Sequence, residues 1–183
     1  MDQPLIWIDL ETTGLNARED KILEIAVVAT DGNLAVAQLG PNLVVHHEVS
    51  DLVMDEYVRN MHTKNGLLAD LPGGVALEDA ERQVLAWVSQ FAEPQTVPMA
   101  GSSIHFDRRF IEEHMPTLLE WFHHRVVDVS SFNECWERWA PHQKLKAPES
   151  RDTHRAQADI LDSIERLRFY HGQVLMTKLR EMF

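Results

Sequence analysis

Apolar and polar positions along this chain follow two different periods. Three runs near the N-terminus are rich in aliphatic and β-branched residues: 5–10 (LIWIDL), 21–30 (KILEIAVVAT) and 34–45 (LAVAQLGPNLVV). Separated by turn-forming residues, they predict strands. Asp31-Gly32-Asn33 between the second and third predicts a hairpin, so those neighbours should be antiparallel. The period then becomes helical. Met54, Tyr57, Val58 and Met61 form one apolar stripe, and Val84, Leu85, Val88 and Phe91 form another within 77–91. A short buried strand is expected over 96–101 (TVPMAG), a helix near 106–115, a strand over 125–129 (RVVDV) and a helix from Ser130 to about Trp139. A last helix follows Asp152-Thr153, either of which is a candidate N-cap. The polar, proline-punctuated stretch before it reads as a loop, because too little chain follows it to fold alone. Residues 1–183 are therefore read as one domain of α/β class, a mixed sheet flanked by helices.

Composition narrows the function classes. With 44% apolar and 25% charged residues the chain is neither fibrous nor disordered. Its one cysteine, Cys135, allows no internal disulfide and no CxxC zinc pair, which fits a reducing cytoplasm. No apolar run approaches the roughly 18 residues that span a bilayer, and the N-terminus lacks the pattern of a secretory signal, so neither secretion nor membrane insertion is expected. Lys plus Arg number 17 against 29 Asp plus Glu, a net charge of −12. A protein that coats long polyanions needs a basic face, which this charge balance opposes. A nucleic-acid substrate would have to be short or held through metal ions.

The segment most loaded with chemistry is Trp7-Ile8-Asp9-Leu10-Glu11-Thr12-Thr13-Gly14-Leu15. Strand residues two apart share a face, so Asp9 and Glu11 present two carboxylates together on a strand otherwise made of Leu, Ile and Trp. Acidic pairs at this spacing also mark ordinary strand ends; the apolar setting and the Thr-Thr-Gly turn that follows favour a cation site. Hard oxygen donors without clustered Cys or His suit Mg²⁺ or Mn²⁺. Two such ions roughly 3.5–4 Å apart activate a water and bridge a phosphodiester. Asp107 and Asp159 are the available further carboxylates.

DLETTG, an Asp opening a helix after the fourth strand, and the final His154-Arg155-Ala156-Gln157-Ala158-Asp159 resemble the three motifs of the DEDDh 3′-to-5′ exonucleases. His62-Thr63-Lys64-Asn65-Gly66-Leu67, Ser103 with Asp107-Arg108-Arg109-Phe110, and Arg125 through Ser131 narrow the resemblance to the oligoribonucleases, over about residues 5 to 170. The resemblance implies a ribonuclease-H-like fold with a five-stranded mixed sheet. It implies two divalent ions on Asp9, Glu11, Asp107 and Asp159, and His154 as the general base that takes a proton from the attacking water. A five-residue offset separates side chains by about 140° on an ideal helix. His154 and Asp159 can therefore converge only if His154 lies at the loop edge.

The same resemblance assigns Thr12, Gly14, Leu15, Tyr57 and His62 to the two terminal nucleotides, with Leu15 as a wedge between bases. It assigns Ser103, Arg125, Ser130 and Ser131 to the 5′-phosphate of a bound dinucleotide, with amide donors added at Ser130. It further implies a homodimer acting on very short RNA, or DNA of that size, and releasing 5′-mononucleotides. Four positions depart from the family pattern: Thr12 for Met, Tyr57 for Trp, Asn65 for Ser, and His124 for a Tyr that reaches the partner subunit's site. DLETTG is also common among proofreading exonucleases of longer single strands, which is the alternative reading. A catalytically silent nucleic-acid-binding module would leave the four carboxylates and His154 unexplained. Lys144 and Lys146 are weaker candidates for phosphate contact. His46-His47 and His123-His124, adjacent in sequence, do not predict metal sites, and Trp136 and Trp139 are expected in the core or at an interface.

Overall fold

The computed structural model describes residues 1–139, 146–149, 151 and 153–175. Its central strand, β1 (Leu5–Thr12), alternates strictly in what it faces. Ile6, Ile8 and Leu10 point into one apolar layer and Trp7 into the other, so Asp9 and Glu11 continue the Trp7 row. Antiparallel to β1 runs β2 (Ile22–Thr30), buried along its whole length. β3 (Ala37–Val44) pairs antiparallel with β2 through the expected hairpin, where the Asp31 carboxylate accepts from the amides of Ala35 and Val36. β4 (Met99–Gly101) and β5 (Val126–Asp128) add in parallel on the other side of β1, giving the order β3-β2-β1-β4-β5. The expected five-stranded mixed sheet is present.

Helices cover both faces. α3 (Leu77–Val88), α4 (His105–His114) and α5 (Pro116–Trp121) pack Val84, Val88, Phe110, Ile111 and Leu118 against Ile6, Ile8, Val27 and Met99. On the opposite face lie α6 (Val129–Trp139) and α7 (Ala156–Tyr170). α7 buries Ala156, Ile160, Ile164 and Leu167 at helical spacing against Trp7, Ala26 and Val28. Each large side chain so buried stabilises the fold by roughly 1.5–3 kcal/mol. α1 (Glu56–Lys64) leads into α2 (Leu67–Asp70), whose Leu67 and Leu68 join Leu23, Leu52 and Leu71 in a smaller cluster.

Along the first helical stripe Met54, Val58 and Met61 are half-buried, whereas Tyr57 is 72% exposed and His62 is the fully buried residue of α1. One local expectation is corrected: Thr153 does not cap α7. Its hydroxyl donates to Asp159 (3.2 Å), and the Ala156 amide that opens the helix is capped from another element, by the carboxylate of Glu24 on β2 (3.0 Å). Asp152 and Lys144 lie outside the described residues. Trp136 packs edge-on against Phe169 as a core residue should, whereas Trp139 stands 77% exposed.

Candidate active site

β1 and the first turn of α7 bring Asp9, Glu11 and Asp159 together, with one carboxylate oxygen from each within 4.8 Å of the others. Asp107, on α4, lies buried beside them, one oxygen accepting the Leu10 amide (2.9 Å). This crowding is costly without cations. Burial first, then Asp107, Glu11, Asp159 and Glu24, push Asp9 well above the usual carboxylate range. Burial and the neighbouring Asp159 and Glu24 raise Glu11 to about 8, and burial raises Asp107 to about 7 against the opposing Leu10 hydrogen bond. Hard oxygen donors forced this far from their ordinary ionisation fit divalent cations, which favour the charged form.

The nearest fixed cation is already committed. Glu24 sits directly opposite Glu11 in the β1–β2 register and has no exposed surface. Arg155 neutralises it through Nη2 (2.9 Å) and Nε (3.2 Å to both oxygens), and reaches Asp70 through Nη1 (3.1 Å). Arg155 is the residue between His154 and α7, so this pair also anchors the loop carrying His154. His154 lies two residues before α7, at the loop edge that convergence with Asp159 requires, and has φ +47°. A left-handed backbone costs a non-glycine residue roughly 1–3 kcal/mol and persists only where surrounding contacts enforce it. Three residues beyond Asp159 on α7, Asp162 is buried and holds Arg151 of the preceding segment.

The exonuclease family RNase_T matches residues 6–167. The oligoribonuclease of Streptomyces coelicolor is 43% identical over 178 residues, covering 96% of this chain and 89% of its own. That of Leifsonia xyli subsp. xyli is 45% identical over 168 residues, 91% of this chain and 81% of its own. This chain belongs to the oligoribonuclease family. The human mitochondrial oligoribonuclease, 36% identical over 184 residues, covers 99% of this chain and 77% of its own. Among solved structures, the zinc-bound complex of E. coli exonuclease I with single-stranded DNA superposes with a TM-score of 0.74 at 14% identity, over 95% of this chain and 41% of that one. That likeness concerns the fold, a ribonuclease-H-like exonuclease fold.

Around the carboxylates of this oligoribonuclease-family chain, the remaining candidates fall into three groups. Leu15 is 82% exposed in the turn after β1, and Tyr57 lines a cleft of about 390 Å³ with Asn60, Met61, Lys64, Asn65 and His154. Neither packs in the core. The turn itself is internally bonded: Thr12 Oγ1 donates to the Gly14 carbonyl and Thr13 Oγ1 to Asp20. Gly14 is needed there because a Cβ would stand 2.5 Å from the Asp20 carboxylate.

His62 lies beneath the site with no exposed surface, so it offers a bound nucleotide none. Its Nε2–H donates to the Thr12 carbonyl (3.1 Å), its Nδ1 is 3.9 Å from Glu11, and burial lowers its pKa.

The third group is at the sheet edge. Ser103, at φ +53°, and Ser130 face each other with hydroxyls 3.1 Å apart. The Ser130 amide expected as a free donor is taken: Asp128 Oδ1 accepts it and the Ser103 amide, both at 2.9 Å. Ser131, His124 and Arg125 are exposed, and Arg125 makes no ion pair among the described residues. The other histidine pair is structural, His46 meeting the Pro72 carbonyl and His47 that of Ile22. Lys146 is exposed.

Proposed function

We propose that Asp9, Glu11, Asp107 and Asp159 hold two divalent ions, Mg²⁺ or Mn²⁺, and that His154 is the general base for hydrolysis of the 3′-terminal phosphodiester. The protein is a 3′-to-5′ exonuclease of very short oligonucleotides, releasing 5′-mononucleotides. The observation that carries this reading is the convergence of Asp9, Glu11 and Asp159 within 4.8 Å beside buried Asp107, with Arg155 already spent on Glu24. The bound ions supply the charge that compensates the carboxylates and the phosphate in the transition state. His154, poised at the loop edge over the same cleft as Tyr57, accepts a proton from the attacking water as a neutral imidazole. Leu15 and Tyr57 offer exposed apolar surface to bases, and stacking of this kind is tolerant of sequence, worth roughly 1–3 kcal/mol per base.

The 5′ end of the substrate is assigned to Arg125 with Ser103, Ser130 and Ser131. Arg suits the task because its planar fork grips two phosphate oxygens. A phosphate held there leaves no exit for further 5′ nucleotides, and this favours short RNA, or DNA of that size, over the longer strands of the proofreading alternative. Arg125→Ala should lower kcat/KM for a 5′-phosphorylated RNA dinucleotide by about ten- to a hundredfold, the worth of one charged hydrogen-bonded contact. The dephosphorylated dinucleotide should be a poor substrate for both proteins. Equal rates on the two substrates would exclude a phosphate cap.

The same proposal includes a homodimer in the cytoplasm. β5 is a free sheet edge, and beside it Val126, Phe132 and Trp139 are 37%, 40% and 77% exposed, surface that a second copy would cover. His124 then takes the place of the cross-subunit tyrosine. Sedimentation should show a dimer at working concentration; a fully active monomer would refute it. Among the described residues no helix is long and apolar enough to cross a membrane, and Cys135 is a free thiol.

A further inference from the structure

A general base is ordinarily oriented by a partner on its second ring nitrogen. The imidazole of His154 has no hydrogen bond among the described residues; the contact recorded for this residue is at its backbone. What fixes its position is therefore the main chain, and three separate segments grip it. Asn65, at the end of α1, donates its side-chain amide to the His154 carbonyl (2.5 Å), while its Oδ1 accepts the Leu67 amide at the start of α2 (3.0 Å). The two partners dictate which end of the amide is which, since one must accept and the other donate. Arg155, the next residue, is pinned to the fully buried Glu24 on β2 and donates through Nη1 to the Asn65 carbonyl (3.4 Å) and to Asp70. The peptides on the C-terminal side of His154 are thus bracketed by α1, α2 and β2, and its left-handed φ is held from outside the loop.

We infer that Asn65 and the Glu24–Arg155 pair are positioning residues that aim His154 through its backbone, in place of a partner on its ring. The inference rests on the assignment of His154 as the base. It also gives the wall of the Tyr57 cleft a link to the base, because Asn65 lines that cleft and holds the His154 carbonyl.

The test uses the full-length protein with Mg²⁺ and a 5′-phosphorylated RNA dinucleotide. Asn65→Ser retains a short side chain able to cap Leu67 but unable to span to His154. It should lower kcat by about ten- to a hundredfold, the scale of a misplaced catalytic group, with KM within twofold. In a His154→Ala background the same change should cost nothing further. ¹⁵N-histidine spectra of the metal-free protein should show the His154 ring signals, assigned by their loss in His154→Ala, shifted or broadened by Asn65→Ser. Arg155→Ala strands the buried Glu24 charge and is expected to compromise folding, so Arg155→Lys, which keeps the charge without the fork, is the second variant and should behave as Asn65→Ser does. Wild-type kcat in Asn65→Ser and Arg155→Lys, or the same fractional loss with and without His154, would overturn the positioning role. A His154→Ala enzyme of undiminished rate would instead overturn the base assignment beneath it.

Discussion

Asp9→Asn and Asp159→Asn should each reduce turnover to background, and chelation should do the same to the unaltered protein. The reason is the energetic state of the carboxylate cluster. In the folded chain Glu11 is raised from 4.5 to about 8, Asp107 from 3.8 to about 7, and Asp9 in the same direction. Below about pH 4 these groups are protonated in both folded and unfolded chains and do not bias the equilibrium. As pH rises towards 8 the unfolded chain ionises first, the folded chain retains more protons, and stability is lost. Metal-free protein should therefore show a falling Tm between about pH 4 and 8, and Mg²⁺ or Mn²⁺ should restore it most at the alkaline end. Comparing wild type with Asp9→Asn isolates the cluster from His62, whose lowered pKa acts in the opposite sense on the acid side. Asp9→Asn removes one ionisable member, so its metal-free Tm should be higher at pH 8 and depend less on pH. Activity in excess chelator, or a metal-free Tm that rises through this window, would contradict a cation-dependent cluster.

His154→Ala should slow hydrolysis by about 10²–10⁴-fold, the usual contribution of a positioned base, with dinucleotide affinity little changed. The side chain neither fills a core nor bonds to a neighbour among the described residues, and its removal should leave Tm nearly unaltered. Isothermal titration with catalytically silent Asp159→Asn as the binding control, beside single-turnover rates, separates the two effects. An unchanged rate would remove His154 from the chemistry.

Much of this site was readable before any coordinates. Period-two alternation placed Asp9 and Glu11 on one face of β1, and the helical offset required His154 to sit outside α7, as it does. What escaped were interactions between residues far apart in the chain. Glu24 stands alone and acidic within ILEIAVVAT, a strand that is buried throughout. An uncompensated carboxylate there was itself a signal that a cation must come from elsewhere, but nothing local points to Arg155, 131 positions away. The α7 cap failed for the same reason: Ser/Thr/Asp rules find caps within the helix's own segment, and this one comes from β2. The α1 stripe is covered only in part: Met54, Val58 and Met61 are half-buried and Tyr57 is exposed, because apolar spacing reports a face that avoids water on average and not each member of it. α5 was also missed; Pro116 at its first turn reads equally as a loop residue.

The most direct test is the dependence of kcat/KM on substrate length for 5′-phosphorylated RNA from the dinucleotide upward, in Mg²⁺, with 5′-labelled chains followed as they shorten. Efficiency should be greatest for two to four nucleotides and fall as length grows further, since a capped 5′ end and a chain of net charge −12 offer a longer strand no track. Efficiency that rises with length, on substrates indifferent to their 5′-phosphate, would contradict an exonuclease built for the shortest oligonucleotides.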